Sequence, residues 1–389
     1  GLHQFIKAFQ TPKTLIRQSK TLDKSLNKKI SYMRVALNLA KKGLGHVYPN
    51  PCVGAIVVKN DKIVGEGYHA KAGGLHAEVM AINEAGKLAN DADLYVTLEP
   101  CNHYGKTPPC AELIVETGFR KVFIACEDLN PLVSGKGIEY LKSKNIEVEQ
   151  GILESEAVNL NKGFFKRIKE KKPYITIKIA SSIDGNTSLK SGESKWITSE
   201  YAREDVQKLR ANTCAILTGV GTVNNDNPNL NVRKRNSNLQ PNRFILDSHL
   251  SIKPDLAILQ QENIFLVYGD DPNNNFDNLI KTKAKLVKIP LKNNQIDLPL
   301  FISHLEEYGV NNLLVEAGPN LTGSMIEAGY YDDLIIYIAP TLLGSDANNL
   351  VKLTQIKNIK QKIKFSFEDV RLIGPDLRVT LKGVKNDMD

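Results

Sequence analysis

The sequence predicts two α/β domains, and three observations carry that prediction. Apolar strand-like runs alternate with amphipathic helical ones from Ser31 to Pro340, the pattern of sheets layered with helices. The 389 residues exceed what one ordinary core organises, at roughly 100–200 residues per domain. A basic segment, 160–173, ends in Pro173 and separates two series that share no internal repeat. The expected division is a basic extension over 1–30, a first domain with its linker over 31–173, and a second domain over 174–389.

The elements follow in order. Leu2, Phe5, Ile6 and Phe9 are spaced for a short amphipathic turn, stopped by Thr11-Pro12. This start is read as a disordered extension rather than a targeting peptide, and it has no secretory apolar core. In "SYMRVALNLAKKG", Met33, Ala36, Leu37 and Ala40 share one helical face, with Gly43 as C-cap. "VGAIVVKNDKIVGEGYH" is a hairpin about Asn60-Asp61. Helix "GGLHAEVMAINEAGKLA", strand "ADLYVTLEP", helix "TPPCAELIVETGF", strand "KVFIACED", helix "GKGIEYLKSKN" and strand "IEVEQG" complete a three-layer domain. The second series opens with strand "YITIKIASSIDG" and helix "SEYAREDVQKLRAN". It continues through strands "CAILTG", "RFILD", "NIFLVYG" and "NLLVEAG", helix "NLTGSMIEAGY" and strand "DDLIIYIAP". These continuous apolar strands suit a sheet covered on both faces.

A formal charge of +8 and a pI near 9.0 invite a nucleic-acid reading, but the charge is localised. Residues 1–29 hold seven Lys or Arg against Asp23 alone, and the remainder carries 44 basic against 42 acidic side chains. The body is nearly neutral, so no nucleic-acid partner is expected. No run approaches the roughly 18 apolar residues of a membrane span, so no membrane partner is expected either. Five cysteines, an odd and small number, point to a reducing compartment, here the cytoplasm. A sheet edge in the second domain is expected to support a homo-oligomer.

Chemistry concentrates in two stretches, "LHAEVMA" (75–81) and "TLEPCNHYGKTPPC" (97–110). His76 and Glu78 start a helix, Cys101 follows a strand, and Cys110 opens the next helix, so all can meet at one sheet edge. Helix N-termini favour the thiolate form that binds metal. His76, Cys101 and Cys110 then hold zinc with one position left for water, whose pKa the metal lowers toward neutrality. Glu78 stays outside the ligand set and shuttles protons, the arrangement of zinc deaminases, although eight residues rather than two separate the cysteines. A closed structural site would recruit His103 as fourth ligand, which leaves Glu78 without a purpose. A deaminase acting on a base in tRNA or single-stranded DNA would need a basic groove with stacking aromatics. A metal-stabilised scaffold with dead sites, or a chain with one active half, completes the alternatives. Cys52, Cys126 and Cys214 have no ligand partners by motif, and the last two read as core.

"HAE" with "EPCNHYGKTPPC", together with "YPNPCVGAIVV", "GEGYHAKAGGLHAE" and "EDLNPLVSGKG", resembles the deaminase half of the bifunctional riboflavin-biosynthesis deaminase–reductases. The resemblance implies a cytidine-deaminase-like fold, with Asn50 and His69 lining the pyrimidine pocket and His103 and Lys106 in a closing loop. The family more often has Asp-Pro-Asn where this chain has Asp128-Leu129-Asn130. In the second half, "IASSIDGNTSLKSGESKWITS", "LTGVGTVNNDNPNLNVR" and "LLVEAGPNLTGSMIEAG" resemble, in that order, the reductase half of the same family. That resemblance implies a dihydrofolate-reductase-like α/β fold and NADPH as cofactor. Cofactor contacts would fall on Ala180, Trp196, Thr198, Thr222, Asp226, Ser248 and the turn Gly318, Pro319, Asn320, Leu321, Thr322, Gly323, Ser324. Substrate contacts would fall on Lys178, Ser194, Arg210, Leu230, Arg233 and Glu316, with Arg210 and Arg233 as forks for a phosphate monoester. The implied reactions are hydrolytic deamination of 2,5-diamino-6-(5-phosphoribosylamino)pyrimidin-4(3H)-one and reduction of the product's ribosyl chain to ribityl. The small-molecule substrate would receive hydride at C1′ of its opened sugar.

Overall fold

In the computed structural model, Met33, Ala36, Leu37 and Ala40 are all buried, as their shared helical face requires. Each of the larger two contributes about 1.5–3 kcal/mol by leaving water. The structure describes residues 12–104, 108–131, 133–233, 235 and 239–384, with side chains from residue 24 onward. The turn expected over residues 2–9 and the loop residue Lys106 lie outside these. Two units are distinguished: Asn50–Phe165 with the chain up to Gly43, and Lys166–Asp389 with the short stretch Leu44–Pro49.

The first unit begins with α1 (Pro12–Lys41), which runs unbroken through the boundary expected at residue 30. Lys28 and Lys29, counted with the basic extension, pair with Asp61 and Glu149 and so belong to the folded body. The hairpin β1 (Gly54–Lys59) and β2 (Lys62–Tyr68) turns through Asn60 and Asp61, both at positive φ. Then come α2 (Ala77–Ala85), β3 (Asp93–Leu98), α3 (Cys110–Thr117), β4 (Lys121–Cys126), α4 (Lys136–Ser143), β5 (Glu147–Gln150) and α5 (Glu154–Leu160). The sheet order is β2-β1-β3-β4-β5, antiparallel at the hairpin side and parallel from β3 to β5. Ala55, Val57, Leu94, Val96, Val122 and Ile124 bury one face beneath Ala77 and Ala81 of α2, Ile114 of α3 and Leu141 of α4. Gly54 meets α1 on the other face, where an added Cβ would lie 2.0 Å from the Ala36 carbonyl oxygen. The three layers expected from the sequence are present.

The expected linker is a helix instead. Residues Lys162–Glu170 form α6, and its Phe164 and Phe165 are buried while Lys169 and Glu170 are exposed, so the charge conceals an amphipathic element. The two units divide within it, after Phe165 rather than at Pro173.

The second unit contains β6 (Tyr174–Ser182), β7 (Asn186–Ser188), α7 (Glu200–Ala211), β8 (Ala215–Gly219), α8 (Val220–Asp226), β9 (Asn242–Leu246), β10 (Ile264–Tyr268), α9 (Phe276–Leu279) and β11 (Lys285–Lys288). After these lie β12 (Leu291–Lys292), β13 (Gln295–Ile296), α10 (Leu298–His304), β14 (Asn312–Val315), α11 (Pro319–Glu327), β15 (Asp333–Ala339), β16 (Asn348–Asn349), β17 (Phe365–Ile373) and β18 (Asp376–Gly383). Nine strands form one sheet in the order β11-β10-β9-β8-β14-β6-β15-β18-β17, parallel except for the C-terminal hairpin β17–β18. Strand β14 lies between β8 and β6, pairing Leu313 with both Ala215 and Ile175. One sheet face buries Ile177, Leu217, Phe244, Val267, Phe301 and Met325. The other buries Ile216, Ile245, Leu266 and Leu314 with Leu250, Ile258 and Leu279. The C-terminal hairpin was not legible as a strand pair, because β17 alternates charges with apolar residues and stays largely exposed.

Candidate active sites

In the first unit, the backbone of α2 rests directly on β2. A Cβ on Gly65 or Gly67 would lie 2.2 Å from the carbonyl oxygen of Ala81 or Ala77, so only glycine allows this approach. That seating sets the N-terminus of α2, with His76 at the N-cap and Glu78 in the first turn. Cys101 follows β3, and Cys110 is the first residue of α3 after Pro109. His76 Nδ1 stands 3.1 Å from Cys110 Sγ and 3.7 Å from Cys101 Sγ. All three potential ligand atoms lie within 4.8 Å of one another. Ligands around tetrahedral zinc, at about 2.3 Å for sulfur and 2.0–2.1 Å for nitrogen, stand roughly 3.5–3.8 Å apart. The residues present therefore fit such an ion. His103 is exposed and outside this group, which disfavours a closed four-ligand site.

The two sulfurs influence each other in opposite directions. Hydrogen bonds from the Cys110 thiol and from His76 push Cys101 down to about 4, against its burial. Cys110 is pushed up by its bond to Cys101 and by burial. Its backbone N–H also donates to Cys101 Sγ at 3.4 Å. Glu78, 4% exposed, is pushed up to about 7, first by burial and then by the Cys101 charge. A carboxyl poised there exchanges protons near neutral pH.

Beside it, His69 Nδ1 donates to the Leu75 carbonyl (3.0 Å), so its Nε2 accepts from the Asn50 amide (3.1 Å). Burial lowers the His69 pKa, with the neighbouring His76 adding to the effect, which keeps the ring neutral. Its ring meets that of His76 edge to face at 5.6 Å.

Sequence reasoning passed over Glu99. This 4%-exposed carboxylate accepts from the backbone N–H groups of Asp128 (3.1 Å), Gly135 (3.0 Å), Gly137 (2.9 Å) and Ile138 (3.2 Å). It joins the loop containing Asp128-Leu129-Asn130 to the strand end that bears Cys101. The signal was an acid between the apolar end of β3 and Pro100. Cys52 and Cys126 are buried, and burial pushes each up to about 12, while Cys214 is pushed up to about 11, as suits inert core thiols.

The second unit holds a cavity of ≈ 1280 Å³ at the C-terminal ends of β6, β8 and β14. Every second-half residue assigned by motif lines it except Thr322 and Gly323. Thr322 is fully buried, and a Cβ on Gly323 would lie 1.8 Å from the Lys352 carbonyl oxygen, so neither offers a side chain to the cavity. Gly318 is the N-cap of α11, and Pro319 opens the helix. Ser194 donates to Asp226 at 3.4 Å, and exposed Trp196 stacks on Arg203, whose guanidinium carbon is 4.3 Å from the ring centre. Ser248 Oγ accepts from the Ile296 N–H at 3.1 Å.

Glu316 is 5% exposed and bonded by Arg210 Nε at 2.7 Å, with Lys178 Nζ at 3.3 Å. Burial raises its pKa, but the charges of Arg210 and Lys178 outweigh that and hold it below the ordinary carboxylate value. Arg210 also donates to the Asn231 carbonyl (3.3 Å), so its fork is engaged within the protein. Of the two arginines expected to grip a phosphate, only exposed Arg233 keeps a guanidinium without an ion pair among the described residues.

Two family models match the chain. Residues 26–126 match the cytidine and deoxycytidylate deaminase zinc-binding region, and residues 173–379 match the RibD C-terminal domain. The riboflavin biosynthesis protein RibD of Bacillus amyloliquefaciens is 45% identical over 359 residues, spanning 90% of this chain and 95% of that protein. Its Escherichia coli K12 counterpart is 41% identical over 365 residues, spanning 90% and 98%. Among solved structures, Acinetobacter baumannii RibD superposes with a TM-score of 0.84 at 40% identity, over 92% of this chain and all of that one. A Thermotoga maritima diaminohydroxyphosphoribosylaminopyrimidine deaminase/5-amino-6-(5-phosphoribosylamino)uracil reductase gives 0.82 at 32% identity, with the same coverage.

Proposed function

The chain belongs to the RibD family of bifunctional riboflavin-biosynthesis enzymes, and from that premise we propose how its residues divide two consecutive reactions. The first half is a zinc-dependent deaminase acting on 2,5-diamino-6-(5-phosphoribosylamino)pyrimidin-4(3H)-one. The second is an NADPH-dependent reductase that converts the ribosyl chain of the resulting 5-amino-6-(5-phosphoribosylamino)uracil to ribityl.

In the deaminase, His76, Cys101 and Cys110 hold zinc, which supplies the Lewis acidity that makes a water acidic near neutral pH. Glu78 takes a proton from the attacking water and delivers it to the departing ammonia. The His69–Asn50 bond uses one amide N–H of Asn50, which leaves its carbonyl and second N–H to orient the pyrimidine. In the reductase, the turn from Gly318 to Leu321 and the stretch around Trp196 and Thr198 receive NADPH, which supplies the reducing equivalents. Lys178, held beside Glu316, bonds ribose hydroxyls, and Arg233 grips the phosphate. The enzyme acts on a small molecule and not on nucleic acid, and it works in the cytoplasm as a homo-oligomer. The exposed apolar residues Phe367, Val370 and Leu372 on edge strand β17 support self-association.

The observation that carries the reading is the His76–Cys101–Cys110 cluster with Glu78, near neutrality in pKa, beside it. Mass spectrometry of the diamino substrate incubated with zinc-loaded protein tests it. Amine-to-carbonyl conversion is expected without NADPH, followed by a gain of two hydrogens once NADPH is added. Conversion that waits for NADPH would reverse the assigned order, and no conversion would end the deaminase assignment.

A further inference from the structure

Leu230 and Arg233 stand on a loop, residues 227–233, whose backbone does not hold itself. Asn227, with φ of 44°, caps α8, and Leu230 has φ of 49°, in the left-handed region that only a restraining environment maintains for such a residue. Side chains from outside the loop supply that restraint. Gln207 accepts from the Arg233 N–H at 2.8 Å, and Gln240 bonds both polar groups of the Val232 backbone, at 2.7 and 3.0 Å. Arg243 Nη1 donates to the Asn229 carbonyl at 3.2 Å, while Gln261 Nε2 reaches Asn229 Oδ1 at 2.8 Å.

Arg243 is unlike the other anchors. It is the largest fully buried side chain of the described residues, at 1% exposure, and it forms no ion pair among them. Its acceptors are all neutral: the Asn229 carbonyl, Gln261 Oε1 at 2.6 Å and the Glu262 carbonyl, while Nε has no partner. Burial, helped by the Arg210 charge, lowers its pKa to about 10, and it remains charged at neutral pH. A buried guanidinium without a counter-charge is costly, and packing alone is served as well by an apolar side chain. What the guanidinium supplies that an apolar side chain could not is a donor to the Asn229 carbonyl.

We propose that Arg243 is a positioning residue of the reductase. Through the Asn229 carbonyl it fixes the loop that presents Leu230 and Arg233, and by holding Arg233 in place it makes the site prefer a phosphorylated substrate over the same molecule without phosphate. This rests on the reading that Arg233 grips the phosphate.

The test measures steady-state kinetics of the full-length, zinc-loaded protein on 5-amino-6-(5-phosphoribosylamino)uracil and on its dephosphorylated counterpart. R243M is expected to raise KM for the phosphorylated substrate about 10- to 100-fold while kcat and NADPH affinity hold, and to leave KM for the other nearly unchanged. R243K, which keeps a donor for the Asn229 carbonyl, is expected to restore part of the preference. Should R243M fail to fold, R243K and Q261M, the latter at a half-buried position, carry the test, with a several-fold loss of preference expected from Q261M. A ratio of the two KM values unchanged in every variant, or a joint fall of kcat and NADPH affinity at constant ratio, marks a merely structural arginine and overturns the proposal. R233A separates the two readings. If it leaves the phosphate preference intact, the phosphate assignment itself falls. If it abolishes the preference while the Arg243 and Gln261 variants keep it, only the role of Arg243 falls.

Discussion

Glu78 is the residue on which the deamination turns, and its environment dictates how it should respond to pH. Burial and a neighbouring thiolate push its carboxyl up to about 7, and a cation at the three ligands draws it back down. Glu78 must be ionised to accept a proton, so kcat/KM for deamination is expected to fall on the acid side with an apparent pKa below about 7. E78Q should lose about 10²- to 10⁴-fold in deamination, retain zinc by metal analysis, and reduce the aminouracil substrate normally. An E78Q variant that keeps the acid limb would assign that limb to another group. This centre was legible in sequence because metal and proton transfer restrict residue types: His, Cys and Glu at helix starts have few other uses. Arg243 and Glu99 were not legible, since each is a charged residue bonded chiefly to backbone groups that only folding brings near. The pairing of Arg210 with Glu316 was not legible for the same reason, the two being 106 residues apart.

At the scale of elements, the seating of α2 on β2 sets the position of His76 and Glu78. Gly67→Ala should therefore act at a distance from its own site. The added methyl meets the Ala77 carbonyl, α2 must lift, and destabilisation of about 1–3 kcal/mol is expected, read as a lower unfolding midpoint together with reduced zinc content. Normal zinc and stability in that variant would mean that the hairpin, not the helix, yields. Period and apolar content made most helices and strands readable. They failed at α6, where six basic residues over 162–172 outweigh the buried Phe164 and Phe165 in any compositional reading. They succeeded at α11, but a motif cannot say which of its residues line the cavity, and Thr322 and Gly323 are not among them.

For the whole molecule, the two reactions depend on different groups. Chelation is expected to abolish deamination and leave NADPH-dependent reduction of the aminouracil untouched, with zinc restoring the first; loss of both would show that the metal supports more than one site. Self-association should follow edge strand β17, so Leu372→Lys is expected to shift light-scattering mass toward the monomer, and an unchanged mass would place the interface elsewhere. Both α/β classes were predictable because alternating strands and helices leave few alternatives, whereas the strand order within each sheet was not, since pairing depends on contacts far apart in sequence.

That order has a consequence in time. Because β14 lies between β8 and β6, the nine-stranded sheet stays split until residue 315 has been made. At synthesis rates of roughly 5–20 residues per second, the apolar strands wait for the strand that joins them, from about 2–9 seconds for β10 to about 7–27 seconds for β6. The five-stranded sheet is closed by residue 150 and has no such delay. In a cell short of chaperones, newly made protein should therefore lose its reductase to aggregation before its deaminase.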